Sequence, residues 1–349
     1  MMPRAKQRES ALTDLGIPLT LAPMEALLVA ELPKEPGWQF EPKWDGFRCL
    51  AFRAKGEVEI KAKSGKSLSR FFPEVLGNLR APSTQQFVLD GELVVPVGGN
   101  LSFDALQMRL HPAESRIRRL ARETPAIFVA FDCLLRKSRQ PLLERSFEER
   151  RAALEAFFAR DYQGISLTPF TRDQRKAKTW LARRQLALDG VIAKRLDLPY
   201  RPGKRVMLKV KCLRTADCVV GGFRYASSDR LVGSLLLGLY DDAGLLHHVG
   251  FTSAISAKDK PALTARLEKL IAAPGFTGDV PGAPSRWSTE RSAAWQPLKP
   301  KLVVEVRYDH VNGDRFRHGT RLVRWRPDKS PRQCTFDQLS TPSAALASV

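Results

Sequence analysis

The chain has 349 residues, enough for two domains with a sizeable core in each. Hydrophobic content of 43% and charged content of 27% are ordinary for a globular protein, but 57 Lys+Arg against 37 Asp+Glu leave a formal net charge of +20. That excess argues for a polyanionic partner, since every phosphate neutralised releases condensed counterions, and with no good basic amphipathic stretch it favours nucleic acid over a membrane.

Residues 1–20, "MMPRAKQRESALTDLGIPLT", carry no signal-peptide core and read as a polar, flexible lead-in. Alternating apolar runs follow in "WQFEPK", "FRCLAFRA", "EVEIKA", "QFVLDGELVVPV" and "IFVAFDCLL", each expected as a strand. Three helical patterns separate or follow them: "PAESRIRRLARE", "SFEERRAALEAFFARDY" and the basic "TRDQRKAKTWLARRQL". Ser146 with Glu149 forms a capping-box signature at the start of the second. Residues 21–214 therefore read as an α+β domain with mostly antiparallel strands.

Near Thr215 the texture changes to short strands with Gly-, Asp- and Asn-rich turns, interrupted by one helix, "KDKPALTARLEKLIAA". Residues 215–349 are expected to form a small Greek-key barrel of the OB type. "PGAPSRWSTERSAAWQPLKP" is a loop carrying Trp287 and Trp295, and the adjacent His247 and His248 read as surface residues. The five cysteines are scattered without a CxxC, and the five histidines have no ligand spacing, so a structural zinc is not expected. Free thiols and the absence of an apolar run of membrane-spanning length point to the cytoplasm.

The chemistry centres on "FEPKWDGFR", Phe40 to Arg48. Lys43 ends a strand-like alternation and is followed at once by an Asp45-Gly46 turn and Arg48. A lysine is a poor nucleophile while protonated, so one meant to attack phosphorus needs neighbours that help it shed its proton, such as other cations. Lys194, Lys209, Lys211 and Arg48 are available for that. Taken singly, each feature has a bland reading: a solvated lysine beside a turn, a core phenylalanine, an edge strand's outward lysines.

The order of the motifs is not bland. "KWDG" is followed by "LDGEL", "FVAFD", "DGVIAK", "LKVK" and "RPDKSP". This succession resembles the covalent nucleotidyltransferases (DNA ligases, RNA ligases and mRNA capping enzymes), and is most similar to compact bacterial ATP-dependent DNA ligases of the C type, from about Pro23 to Leu339. The resemblance implies a nucleotidyltransferase (adenylation) domain with antiparallel sheets followed by an OB-fold barrel. It implies ATP with Mg²⁺ (or Mn²⁺) as cofactors, and nicked double-stranded DNA as substrate for a monomer working in DNA repair alongside other repair proteins.

By the same resemblance, Lys43, followed by Asp45, takes AMP as a phosphoramide. Glu41 reads the adenine amino group, Glu92 contacts the ribose, and Phe131 stacks on the base. Asp189 and Glu92 hold the metal, Lys194 lines the nucleotide site, and Lys209 and Lys211 clamp the α-phosphate. Arg48 and Lys63 meet the nick. Arg326, Asp328 and Lys329 orient the leaving pyrophosphate, which implies that the second domain closes over the first during ATP attack and then swings to DNA. Three places depart from the family pattern, one of them Met207 and Leu208, which stand where a Trp is often found just before "KVK". Asp189 stands where Glu is usual, one methylene shorter, and Lys63 stands where Arg is usual, replacing a bidentate fork by a point charge. An RNA ligase or a capping-type guanylyltransferase shares enough of the motifs to be the alternative.

Overall fold

The structure, a computed structural model, describes residues 10–137, 140–182, 188–227, 229–282 and 294–339. The chain divides into two compact units, the second running from Leu213 to Thr341. Trp287 and residues 1–9 lie outside the described residues.

The first unit is built on two sheets. One has four strands in the order Glu25–Leu28, Arg205–Lys211, Gly190–Arg195, Trp38–Lys43, antiparallel except for the first pair. The other has five, in the order Glu57–Ala62, Phe47–Ala54, Gln86–Val94, Ile127–Arg136, Ile165–Leu167, with only the last pair parallel. Alternation sorts the side chains of the five-stranded sheet. Cys49, Ala51, Leu89 and Ala130 pack with Val75, Leu79, Leu154 and Phe157 from helices Pro73–Arg80 and Phe147–Phe157. Leu50, Phe52, Val88 and Leu134 pack on the opposite face with Met24, Tyr200 and Met207. Helix Gln174–Ala182 covers the outer face of the four-stranded sheet through Ala177 and Trp180. A sheet covered on both faces needs apolar residues at successive positions, which is why "IFVAFDCLL" reads as nearly continuous.

The expected flexible lead-in is corrected from residue 10 onward. Ala11–Leu15 forms a short 3₁₀ turn, and Leu12, Leu15 and Ile17 are buried in the same core as Leu50 and Phe52. Three apolar side chains in this stretch outweigh its polar composition. The Ser146–Glu149 capping box is present at the start of Phe147–Phe157.

That helix is fastened to the sheet by a buried ion pair. Arg150 donates through Nε and Nη2 to Asp132 at 2.8 and 3.0 Å, and through Nη1 to the carbonyls of Arg145 and Leu198. Both side chains are almost wholly buried. Removing one partner leaves an uncompensated charge in the interior, so Asp132→Ala is expected to lower the unfolding free energy by about 3–5 kcal/mol in urea denaturation. A loss under about 1 kcal/mol would show that the pair is dispensable.

The second unit has one core beneath a sheet ordered Leu246–Thr252, Val232–Tyr240, Arg214–Tyr225, Val303–Tyr308, Arg321–Trp325, with Gln296–Pro297 beside Arg214–Tyr225. Register shifts at Val220/Gly222, Leu237/Gly238 and Glu305/Val306 bend the strands around that core. Among the described residues the ladders form an open path and not a closed barrel. The two edge strands meet at one bridge, Thr252 with Thr320, because a small hairpin of Val311–Asn312 and Arg315–Phe316 intervenes. Helix Lys260–Glu268 packs on Val232–Tyr240 and contributes Leu263 and Leu267 to the core. His248, expected at the surface, is buried, and Arg315 donates to its Nδ1 at 2.8 Å. No described helix is long and apolar enough to cross a membrane.

Candidate active site

Strand period and register bring five of the predicted residues, Glu41, Lys43, Lys194, Lys209 and Lys211, onto the four-stranded sheet. Gln39, Glu41 and Lys43 alternate along Trp38–Lys43 and so point the same way. Cross-strand pairing sets Lys43 beside Gly190 and Gly190 beside Lys211, Glu41 beside Ile192 and Ile192 beside Lys209, and Gln39 beside Lys194. This face looks across a cleft at the five-stranded sheet, where Arg48 and Glu92 are cross-strand partners. The cleft is lined by Glu41, Lys43, Arg48, Lys63, Glu92, Phe131, Lys194 and Lys209, together with Met24, Glu25, Ile192 and Met207.

Two glycines in the motifs are required by close approach. A Cβ on Gly46 would sit 2.1 Å from the Leu93 carbonyl oxygen, and one on Gly190 would sit 2.0 Å from that of Val210. Gly190 also has φ of +151°, which side chains other than glycine's rarely adopt.

Lys43 Nζ lies against the Asp189 carboxylate, with the side chain about one-quarter exposed. The backbone secures the pair: Asp189 N–H donates to the Lys43 carbonyl at 2.9 Å, and Cys212 N–H to the Asp189 carbonyl at 3.0 Å. Lys211 Nζ is 4.0 Å from the same carboxylate. The lysine held below its ordinary range is Lys209, through burial first and then the neighbouring charges of Lys43 and Lys211. Asp45 stands close enough that its charge acts on Glu92.

At the other end of the cleft, Glu41 is buried. Its Oε2 meets Lys194 Nζ at 2.7 Å, and its Oε1 accepts from Gln39 Nε2 at 2.9 Å. Lys194 also donates to the Phe131 carbonyl at 2.9 Å. The Phe131 ring, whose neighbour Asp132 anchors the helix behind, has the Arg48 guanidinium 4.8 Å and the Lys194 ammonium 4.7 Å from its centroid. Lys63, at the rim, pairs with Glu25 at 2.9 Å.

The last motif belongs to the second unit. Arg326 is bidentate to Asp328 through Nε and Nη2, and its Nη1 reaches both oxygens of Asp217 at 3.0 Å. Lys329 Nζ donates to Asp217 at 2.7 Å. One mostly buried carboxylate thus organises both cations.

Residues 23–211 match the ATP dependent DNA ligase domain, and residues 228–329 match the ATP dependent DNA ligase C terminal region. The chain belongs to the ATP-dependent DNA ligase family. It is 45% identical over 345 residues to DNA ligase C2 of Mycolicibacterium smegmatis, covering 94% of this chain and 97% of that one. It is 42% identical over 340 residues to DNA ligase C of Mycobacterium tuberculosis, covering 92% and 94%. A solved structure of a Lig E DNA ligase covers 87% of this chain and 100% of its own with a TM-score of 0.53; at 17% identity that likeness is one of fold.

Several residues of this ligase site were not legible as motifs. Ile192 and Met207 could have been read by alternation, two positions before Lys194 and Lys209. Met24 and Glu25 arrive through the parallel pairing of Glu25–Leu28 with Arg205–Lys211, for which no local signal exists. Asp90 stands inside the "LDGEL" motif, which gives it no role; fully buried, it accepts from Arg48 Nε and Nη2 at 2.9 and 2.7 Å and from the Tyr200 hydroxyl at 2.7 Å. Asp217 carries no motif of its own.

The donor set suits a hard divalent cation only in part. Glu92 and Asp189 supply carboxylate oxygens, but no group of three His, Cys, Asp or Glu side chains able to hold a metal occurs among the described residues. A cation here would need phosphate oxygens and water as its remaining ligands, the habit of Mg²⁺.

Glu92 is pushed up to about 7, by burial first; the charges of Arg48 and Lys43 oppose the rise, and Asp90 and Asp45 add to it. A carboxyl raised in the folded state contributes stability below its ordinary range near 4.5 that is lost as pH rises through about 7. Glu92→Gln is therefore expected to unfold with wild-type stability at pH 4 and to be more stable by about 1–2 kcal/mol at pH 8, measured by urea denaturation. A pH-independent difference would contradict this origin.

Proposed function

We propose that this ligase seals 3′-OH/5′-phosphate nicks in duplex DNA through a covalent AMP on Lys43. The observation that carries the reading is the convergence in one cleft of Lys43, Glu41, Glu92, Phe131, Lys194 and Lys209, residues spread over some 170 positions of sequence.

The Lys43 amine attacks the α-phosphorus of ATP. A P–N bond forms, the bond to pyrophosphate breaks, and Asp189, already in contact with Nζ, is the nearest acceptor for the proton. Lys209 and Lys211 stabilise the charge that develops on the α-phosphate oxygens. Phe131 offers its face to the base, Met207 and Ile192 an apolar wall, and Glu41 the acceptor for the adenine amino group. Glu92 and Asp189 would hold Mg²⁺ or Mn²⁺, which when bound neutralises phosphate charge. The AMP then passes to the 5′-phosphate of the nick, positioned by Arg48 and Lys63, and the 3′-OH displaces it. The excess of basic residues suits phosphate contacts with no base readout, so sealing should fall steeply with salt.

The test is to incubate the protein separately with α-labelled ATP and GTP, then with nicked DNA. Labelling by ATP alone, with label chased into a sealed strand, is expected. Labelling by GTP, or sealing confined to RNA, would move the chain to the capping or RNA-ligase branch.

A further inference from the structure

Beside the cleft, outside its lining, lies a buried polar cluster that the reaction scheme leaves unused. Gln39 is fully buried and donates through Nε2 to Glu41 Oε1. Arg151, on helix Phe147–Phe157, brings its Nη1 to 3.7 Å from the same oxygen while Nη2 donates to the Thr168 carbonyl and Nε to Glu155. Its guanidinium lies 4.4 Å over the Phe170 ring. The opposite oxygen of Glu41 is held by Lys194. One carboxylate is therefore gripped by an amide and two cations, each anchored in a different element. Gln39 Oε1 and Arg151 Nη1 are buried without a hydrogen-bond partner of their own. Buried polar atoms left partly unsatisfied are costly, and their presence beside a ligand-facing carboxylate points to a geometry imposed for function.

We propose that Gln39 and Arg151 are positioning residues that set the nucleotide choice of this enzyme, by fixing the Glu41 carboxylate as a rigid acceptor for a 6-amino purine. The inference rests on the reading of Glu41 as the group facing the purine 6-position. A 6-amino group donates to the fixed oxygen. A 6-oxo group sets acceptor against acceptor, and the carboxylate cannot turn away because both oxygens are pinned. A site built to accept one hydrogen bond rejects the analogue lacking the donor far more strongly than a hydrophobic pocket rejects a change of size. Were Glu41 free to rotate, a water or a turned oxygen would relieve the clash and much of the discrimination would go. Sequence alternation places Gln39 on the same strand face as Glu41 and Lys43, whereas Arg151 is brought in by the helix that Arg150 pins to Asp132.

The experiment compares rates of covalent nucleotide transfer from ATP and from inosine triphosphate, which carries a 6-oxo group in place of the 6-amino group. It uses the wild type, Gln39→Met, Arg151→Met, Arg151→Lys and Glu41→Gln, each checked for a cooperative thermal transition. In Gln39→Met and Arg151→Met the preference for ATP is expected to fall about tenfold or more, mainly through a higher KM for ATP, with partial recovery in Arg151→Lys. Equal loss on both nucleotides, with the preference intact, would overturn the proposal and leave a merely structural cluster. Should Arg151→Met fail to fold, Gln39→Met and Arg151→Lys decide by the same ratio. If Glu41→Gln itself keeps the wild-type preference, the underlying assignment of Glu41 falls first, which separates the two failures.

Discussion

Lys43→Ala is expected to lose covalent AMP transfer by about 10⁴-fold or more, because the change removes the attacking amine itself. Lys43→Arg should lose as much, since a guanidinium keeps the charge but not the nucleophilic lone pair. The fold should survive both changes: the side chain is about one-quarter exposed, and Lys211 remains 4.0 Å from the Asp189 carboxylate that Lys43 leaves behind. Gel labelling with α-labelled ATP, beside a thermal melt, reads both quantities. The same variants should still close a nick whose 5′-phosphate already carries AMP, within about tenfold, because that step consumes no new adduct. Loss of both activities in folded protein would make Lys43 a scaffold for the cleft and not the group that carries AMP.

The second large effect is expected in the second unit. Asp217→Ala removes the carboxylate that holds Arg326 Nη1 and Lys329 Nζ, leaving Arg326 with Asp328 and Lys329 without its recorded anchor. If those cations orient the leaving pyrophosphate, as the family resemblance implies, a displacement of about 1 Å should slow self-adenylylation by roughly 10²-fold. Sealing of pre-adenylated DNA should fall far less, because pyrophosphate has already left. Asp328→Ala should show the same split. Both variants are read by single-turnover labelling against sealing of a pre-adenylated nick. Equal losses in the two assays would remove the assignment to the ATP step.

The fold was legible where period and packing agree. The strand runs before the boundary each form strands, and the Ser146–Glu149 box starts its helix, because these signals are local. Helix Pro73–Arg80 is hard to read in the sequence: eight residues with only Val75 and Leu79 buried give a weak periodicity, and the proline at its first position is its one start signal. In the second unit the strands follow from local pattern, whereas the open path of the sheet, with a single bridge from Thr252 to Thr320, depends on long-range pairing that no local pattern encodes.

The site divides in the same way. Glu41 and Lys43, or Lys209 and Lys211, stand two apart on one strand, so their common face follows from the pleat. What joins them is register, Lys43 to Gly190 to Lys211 across three strands, and register is set by the whole sheet. Lys209 is held below its ordinary range by burial and two cationic neighbours, while Lys43 lies against a carboxylate. Asp217 and Arg151 hold other functional groups in place; their partners are as much as 112 residues away, which a linear motif does not report.

That contrast makes Lys209 the physical rival for the adduct, since it lines the same cleft and its amine is held below its ordinary range. Intact-mass measurement after incubation with ATP and magnesium, followed by peptide mapping, decides between them. A single AMP mapped to Lys43 and absent from Lys43→Ala is the predicted result. An adduct on Lys209 or any other residue, or none in folded protein, would contradict the account.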